Sequence, residues 1–320
     1  MGRFKVKAKN RLSDLNIGDF VEESDFASMS PDGTFVQLEH IEEKDELPPY
    51  KVKPGIWAIT KDFTGLKLVN TSFTKEDILE EFIYTKDITD KIDSFFRKLH
   101  VYKDFGIDIP TRKMMLYGPP GSGKTTAINK VAEKYAGNGD TAVVVWHTDK
   151  FEAHVIKDFL KSFQYEDNVK KLILIIEDLG GVEIDEVRMR SESSLLSLLD
   201  NKENTFKIPT LVLSTTNFIE IFMGNLTNRP GRFDDKISVS FPKAEYRKAL
   251  LKFFSKGNVT DEHMSLIGSS KCDKFTPAHI REAIIRSAIY EKTMDEVIQE
   301  LQKEIETYDK GFSDKNRLGL

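Results

Sequence analysis

The sequence has little cysteine, no long apolar run and little net charge, and each shortage excludes a class of protein. Its single cysteine, Cys272, excludes a disulfide within the chain. No apolar run approaches the ~20 residues of a transmembrane helix, and we find no secretory signal pattern. The net charge of −5 gives no overall basic character for binding nucleic acid. We therefore expect a cytoplasmic protein without a membrane segment.

The most informative motif is a glycine-rich run between the apolar residues 114–117, which predict a strand, and residues 126–132, which predict a helix. Three glycines allow such a loop to turn successive N–H groups toward one phosphate, which then lies at the helix N-terminus. Lys124 would reach the β- and γ-phosphates, and the Thr125 hydroxyl would bind Mg²⁺. The alternative is a chance match in a turn. The predicted nucleotide-binding residues are Gly118, Pro119, Pro120, Gly121, Ser122, Gly123, Lys124, Thr125 and Thr126.

Two carboxylates, Glu177 and Asp178, follow the apolar strand predicted over residues 172–176. Beside a phosphate-binding loop, one carboxylate would hold the hydration shell of Mg²⁺, and the other would orient or deprotonate the attacking water. The alternative is a solvent-facing pair at a strand end. We favour catalysis because the pair and the loop occur in the same chain.

The chain divides into three predicted regions. Residues 1–86 contain turns and short strand-like runs, which predict a small α+β appendage whose substrate or adaptor role the sequence does not identify. Residues 87–241 alternate apolar strands with helices and predict a parallel sheet covered by helices on both faces. Residues 242–320 have helical spacing and predict a compact helical domain. The predicted fold class is therefore α/β.

A series of motifs in order resembles the ATPase module of the AAA family. Residues 104–125 look like the start of the module, 194–200 resemble the helix after its Walker B strand, and 214–217 resemble its sensor-1 strand. Residues 228–234 are similar to the Arg-Pro-Gly-Arg segment of the classical clade of the family. The resemblance extends over about residues 88–295, and it implies that the C-terminal helical domain is a lid over the nucleotide.

The resemblance also implies roles for individual residues. Glu177 would bind Mg²⁺ through water, Asp178 would be the catalytic base, and Asn217 would position the attacking water. Arg229 and Arg232 match arginine-finger positions, from which they would reach the ATP of a neighbouring subunit and neutralise charge in the transition state. For one of the two arginines, the alternative is an interface salt bridge.

Two features depart from the family pattern, the Walker B order and the pore loop. The Walker B order Glu177-Asp178 reverses the usual Asp-Glu and resembles a subgroup that includes mitochondrial translocases of folded iron–sulfur proteins. Asp178 is one methylene shorter than glutamate, so we expect hydrolysis with the base slightly further from its water. Phe151 has the place of the substrate-gripping aromatic in the pore loop, without the usual glycine that follows it. The alternative is that it caps the helix predicted over residues 151–163 from the inside. Arg281 lies three residues from the sensor-2 position, and we leave it outside the predicted site.

The sequence therefore predicts Mg²⁺-dependent ATP hydrolysis by a homo-oligomeric AAA ATPase, with a hexameric ring as the expected assembly. We expect ATP and Mg²⁺ as cofactors and a protein as the substrate that is remodelled or translocated. One alternative is a clamp-loader-like or replication ATPase acting on DNA, which the acidic balance of the chain disfavours. Another is a nucleotide-gated scaffold with little turnover.

Overall fold

The computed structural model describes residues 3–11, 26–29, 34–41, 51–62, 65–73, 83–147, 153–179, 198–199, 205–217 and 233–317. The strands are β1 (Arg3–Arg11), β2 (Phe26–Met29), β3 (Thr34–Ile41), β4 (Lys51–Val52), β5 (Gly55–Asp62), β6 (Gly65–Asn70), β7 (Thr111–Tyr117), β8 (Thr141–His147), β9 (Gln164–Tyr165), β10 (Lys171–Glu177), β11 (Thr210–Thr216) and β12 (Asp235–Ser238). The helices are α1 (Ile83–Arg97), α2 (Leu99–Asp104), α3 (Lys124–Ala136), α4 (Ala153–Lys161), α5 (Ala244–Phe254), α6 (Asp261–Gly268), α7 (Pro277–Ile289) and α8 (Met294–Arg317). Among the helices of these residues, none is long and apolar enough to cross a membrane.

Seven of the described strands form one sheet, the central sheet, in the order β12-β7-β11-β10-β8-β5-β6. Neighbouring strands from β12 to β5 run parallel, and β6 is antiparallel to β5 at one edge. The interior strands β8, β10 and β11 are buried along almost their whole length, as expected when helices cover both faces. The predicted α/β class is therefore confirmed.

Each face of the central sheet packs against its own hydrophobic cluster. Because side chains alternate along a strand, Val144 of β8 joins the cluster that contains Ile156 of α4. The neighbouring Val143 joins the opposite cluster, with Ile88 of α1 and Ile128 of α3. Burial of these apolar side chains on both faces stabilises the sheet and fixes α3, the helix that follows the phosphate-binding loop.

Strands β5 and β6 extend the central sheet, whereas the sequence analysis grouped them with the N-terminal region. β5 lies beside β8, with Gly55 opposite Ala142 and Ala58 opposite Val145. Strands β1, β3 and β2 form a different, antiparallel sheet. We therefore propose that the region associated with the central sheet begins near β4 rather than at residue 87.

The helices α5 to α8 share a third hydrophobic cluster, to which Leu250, Ile280 and Val297 contribute. Beside this cluster, Arg247 of α5 is only 2% exposed. Its guanidinium ties α5 to the turn after α6 because it can donate five hydrogen bonds in a fixed geometry. Its acceptors, at 2.8 to 3.2 Å, are the carbonyls of Pro242, Ile267, Gly268 and Ser269 and a carboxylate oxygen of Asp273.

Candidate active site

The phosphate-binding loop joins the end of β7 to the first turn of α3. Gly121 and Gly123 have φ values of 72° and 92°, a left-handed conformation that favours glycine. Gly123 is the N-cap of α3, so the unpaired N–H groups of the first helical turn lie at the loop. This arrangement binds phosphate in many proteins, because the helix dipole and the free amides both favour an anion.

Gly118 lies where β7 ends, against the residue that follows β12. A Cβ atom at this position would overlap the carbonyl oxygen of Val239. The N–H of Val239 donates to the carbonyl of Tyr117 at 2.8 Å, which holds the two segments together. Only glycine therefore fits at position 118 in this arrangement. A larger residue would push the loop away from Val239.

We expect Gly118→Ala to destabilise the protein by about 2 kcal/mol through this backbone overlap. Gly139→Ala is the matched control, because Gly139 has φ of 74° but no atom within 4 Å of an added Cβ. Its cost is conformational only, about 1 kcal/mol. Urea unfolding of both variants measures the difference, and equal destabilisation would contradict the close approach of Val239.

Lys124 is 7% exposed, and its ammonium group is held by oxygen atoms of the loop and of Asn217, the residue that follows β11. Nζ donates to the carbonyls of Gly118 and Pro119 at 2.9 Å each and to Asn217 Oδ1 at 2.7 Å, and Ser122 Oγ lies 3.4 Å from it. The positive charge is thereby placed inside the curve of the loop, where the sequence analysis expected the phosphates.

Asn217 connects Lys124 to Asp178. Its Oδ1 accepts from Lys124, and its Nδ2 donates to Asp178 Oδ1 at 3.1 Å. Burial lowers the pKa of Lys124 to about 8, although the negative charge of Asp178 acts in the opposite direction. Three residues predicted from separate motifs thus form one hydrogen-bonded row, which we call the Lys124–Asn217–Asp178 row.

The turn after β10 fixes the direction of the Asp178 side chain. Asp178 has φ of 53°, a left-handed conformation that aspartate adopts more readily than most residues with a side chain. Its N–H donates to Thr215 Oγ1 at 2.9 Å, and the N–H of Leu179 donates to the Thr215 carbonyl at 2.7 Å. Both contacts anchor the turn to β11, the strand that precedes Asn217.

Glu177 contacts a histidine that the sequence analysis did not select. His147 ends β8 directly opposite Glu177 in the strand register, and its Nδ1 lies 2.9 Å from Glu177 Oε2. The Glu177 side chain is 14% exposed, so the histidine orients a carboxylate with little freedom. Carboxyl ends of neighbouring parallel strands meet at one edge of a sheet, but strand order is needed before such a contact can be inferred.

These residues line a cavity of about 810 Å³. It lies between the carboxyl ends of the parallel strands of the central sheet and helices α5 and α7. The loop from Pro120 to Thr126 supplies one part of the lining, together with His147, Glu177, Asp178, Thr215 and Asn217. Helices α5 and α7 supply an apolar part, formed by Leu250, Phe253, Phe254 and Ile285. A cavity with a phosphate-binding side and an apolar side is suited to a nucleotide.

The donor set in this cavity also fits Mg²⁺. The Thr125 hydroxyl and the carboxylates of Glu177 and Asp178 all line it. Mg²⁺ prefers oxygen ligands and is usually bound by one or two protein groups, with phosphate oxygens and water completing its shell. Thr125 and, through water, Glu177 would hold the ion beside the loop.

Three predicted site residues, Phe151, Arg229 and Arg232, lie outside the described residues, and their roles stay predictions. The same holds for most of the segment 194–200. The remaining predicted residues come together: the carboxylate pair and Asn217 line the cavity with the loop from Pro120 onward, and Gly118 and Pro119 bind Lys124.

Residues 114–241 match the family described as "ATPase family associated with various cellular activities (AAA)". This part of the chain, residues 114–241, is an AAA family domain. The matched part contains the phosphate-binding loop, the carboxylate pair and Asn217. The whole Lys124–Asn217–Asp178 row therefore lies within the AAA domain. The resemblance to the AAA family that the motifs predicted is therefore confirmed for this domain.

Named relatives are distant. The chain is 25% identical over 232 residues to the proteasome-activating nucleotidase of Sulfurisphaera tokodaii, a match covering 70% of this chain and 58% of that protein. It is 23% identical over 251 residues to the proteasome-activating nucleotidase of Saccharolobus islandicus, covering 76% and 62%. Protein CdcH of Halobacterium salinarum is 23% identical over 229 residues, covering 66% and 30%. The chain thus spans less than two thirds of the length of these relatives.

Proposed function

We propose that this chain hydrolyses ATP with Mg²⁺ and uses the energy to remodel or translocate a protein substrate. The observation that carries the proposal is the Lys124–Asn217–Asp178 row beside the phosphate-binding loop. A protein is favoured as the substrate because two relatives are named proteasome-activating nucleotidases. The net charge of −5 also gives no support to a nucleic acid as the substrate.

The described residues divide the work of hydrolysis among them. The loop amides and Lys124 bind the phosphates and neutralise their charge. Asp178 accepts a proton from the water that attacks the γ-phosphorus, while the bond between that phosphorus and the leaving ADP oxygen breaks. Asn217 holds the Asp178 carboxylate through Nδ2, and His147 holds Glu177. Bound Mg²⁺ supplies further neutralisation of phosphate charge.

The apolar part of the cavity is suited to the adenine base. Phe253 and Phe254 of α5 and Ile285 of α7 line it, on the helical side of the cavity. Aromatic and aliphatic side chains bind a flat base by burial of its faces, and they add no charge that competes with the phosphate site. The base would therefore contact the helical region while the phosphates contact the loop.

The test is phosphate release from ATP by the purified chain, compared with Lys124→Ala and Asp178→Asn. We expect both substitutions to remove most of the activity, because Lys124 binds the phosphates and Asp178 accepts the proton of the attacking water. Unchanged activity in both variants would overturn the assignment. Tight ATP binding by the wild type without phosphate release would instead select a nucleotide-gated scaffold.

We further propose that the chain acts as a homo-oligomeric, hexameric ring with composite ATP sites. Arg229 and Arg232 would reach the ATP of a neighbouring subunit, and Phe151 would contact the substrate in the pore. The order Glu177-Asp178 supports a place in the subgroup of iron–sulfur protein translocases. These assignments rest on the motifs in the sequence.

A mixing experiment tests whether the arginines act between subunits. Asp178→Asn and the double variant Arg229→Ala, Arg232→Ala are each expected to be inactive alone. In an equal random mixture, about a quarter of the sites would combine an intact Asp178 with intact arginines from a neighbour, so activity should return. Light scattering confirms that mixed oligomers form. No recovery of activity in such oligomers would contradict arginine fingers acting in trans.

A further inference from the structure

Helix α7 begins in direct contact with the phosphate-binding loop. The N–H of Ala278 donates to the carbonyl of Gly121 at 3.3 Å. A Cβ atom added at Gly121 would come within 2.7 Å of the Ala278 side chain and 3.1 Å of Thr276 Oγ1. Gly121 and Ala278 both line the nucleotide cavity, so the position of the first turn of α7 affects the shape of that cavity.

A histidine that the mechanism above does not use fixes this first turn. Thr276 is the N-cap of α7, and its N–H donates to His279 Nδ1 at 3.2 Å. In return, the N–H of His279 donates to Thr276 Oγ1 at 3.5 Å. This reciprocal arrangement is a capping box, in which the third helical residue is usually glutamate or glutamine. Histidine can take that place only while Nδ1 carries no proton, because a protonated ring nitrogen cannot accept a hydrogen bond.

The surroundings of His279 favour its neutral form. Burial lowers the pKa of His279 below its ordinary value of 6.5, the negative charge of Glu304 on α8 opposes this, and the positive charge of Arg286 on α7 adds to it. The two charged groups also bind each other, with Arg286 Nη1 and Nη2 at 2.6 and 3.2 Å from the Glu304 carboxylate. The ring of Phe275, 5.6 Å away between centroids, and the loop residue Gly121 bring no charge to this turn.

Protonation of Nδ1 would open the capping box. The N–H of Thr276 would lose its acceptor, and because Thr276 is only 1% exposed, an unpaired N–H there is costly. The new positive charge would also lie in the first turn of α7, where the helix dipole disfavours a cation. Both effects loosen the turn that contacts Gly121.

We propose that His279 is a positioning residue whose protonation weakens nucleotide binding. Its neutral ring holds the first turn of α7 in the place that shapes the cavity, and protonation of the ring releases that turn. The inference rests on the proposed function, since it concerns the same cavity. Glutamine is the matched substitution, because it can complete the same capping box and does not titrate.

Binding of a fluorescent ADP analogue at about pH 5 and about pH 7.5 tests this, with the affinity of each protein at low pH divided by its own affinity at neutral pH. The wild-type affinity should be lost below pH 6.5, because the neutral form that binds is then depleted. We expect the wild-type ratio to be about fivefold lower than that of His279→Gln, as for loss of one helix cap. His279→Ala has no acceptor at any pH, so it should bind about fivefold more weakly at neutral pH and lack the additional fall. Other titrating groups, including the ADP phosphates, are common to all the proteins and cancel in the comparison.

His263→Gln is the matched control, because His263 has the same third position in α6. Its N–H donates to the N-cap Thr260 at 3.2 Å, but no return bond from its ring is seen in the described part of the chain. This variant should keep the wild-type ratio. Equal ratios in the wild type and His279→Gln would overturn the inference, as would loss of the low-pH fall in His263→Gln.

Lys124→Ala at neutral pH separates this inference from the proposed function. If Lys124→Ala binds the ADP analogue as tightly as the wild type, the proposed function fails, and the inference about His279 fails with it. If Lys124→Ala loses binding while the wild type and His279→Gln have the same pH dependence, the inference about His279 alone fails.

Discussion

Asp178→Asn is expected to lower the rate of ATP hydrolysis by about 10²- to 10⁴-fold, the usual contribution of a general base, while ATP affinity stays within a few-fold of wild type. An amide cannot accept the proton of the attacking water. It keeps the size of the carboxylate, an oxygen that can accept from Asn217 Nδ2, and a tolerance for the left-handed backbone at this position. Single-turnover phosphate release and binding of a fluorescent ATP analogue measure the two effects separately.

Two further variants sharpen this result. Asp178→Glu extends the base by one methylene and restores the length that is usual in the AAA family, so we expect it to retain turnover. Asp167→Asn removes an exposed carboxylate that does not line the cavity and should behave like the wild type. Wild-type turnover in Asp178→Asn would show that another group activates the water, and Glu177, the other carboxylate of the pair, would then be tested next.

Lys124→Ala is expected to weaken ATP binding about a hundredfold, because it removes charged hydrogen bonds to the phosphates. It also leaves the carbonyls of Gly118 and Pro119 without the donor that now holds them at 2.9 Å. A urea unfolding curve is therefore part of the measurement. Loss of ATP affinity in a variant with unchanged stability separates phosphate binding from a structural role.

The charge of Lys124 also predicts how ATP binding depends on pH. With a pKa of about 8, the side chain is charged below that pH, and ATP affinity should be constant there. Above pH 8 the free protein increasingly carries a neutral amine, so binding must take up a proton and affinity should fall by up to about tenfold per pH unit. Lys124→Arg stays charged and should lose this dependence. Equal slopes in the two proteins would contradict the assignment.

Local sequence pattern was sufficient for the loop and the elements beside it. The predicted strand 114–117 and helix 126–132 correspond to β7 and α3, each a few residues longer than predicted. The extra residues of β7 depend on pairing with a neighbouring strand, which the local pattern does not contain. Thr111, for example, belongs to β7 because it lies opposite Thr210 of β11.

Contacts between distant parts of the chain were the main features that the sequence did not reveal. The strand character of β5 was visible, but its place beside β8 depends on pairing across nearly ninety residues of sequence. His147 was not selected for the same reason, since only the order of strands brings it to Glu177. Arg281 was set aside because it misses the family's sensor position, although its helical spacing from Ala278 places it in the cavity.

The attachment of β5 to β8 gives the chain a mechanical path from its N-terminal part to the ATP site. The backbone enters the central sheet at β5, which is bonded in parallel to β8, and β8 ends at His147 against Glu177. Tension along β5 would load the hydrogen bonds between β5 and β8 in shear, so that several of them would resist the force together. β5 lies two strand spacings, roughly 10 Å, from β10, the strand that ends at the carboxylate pair.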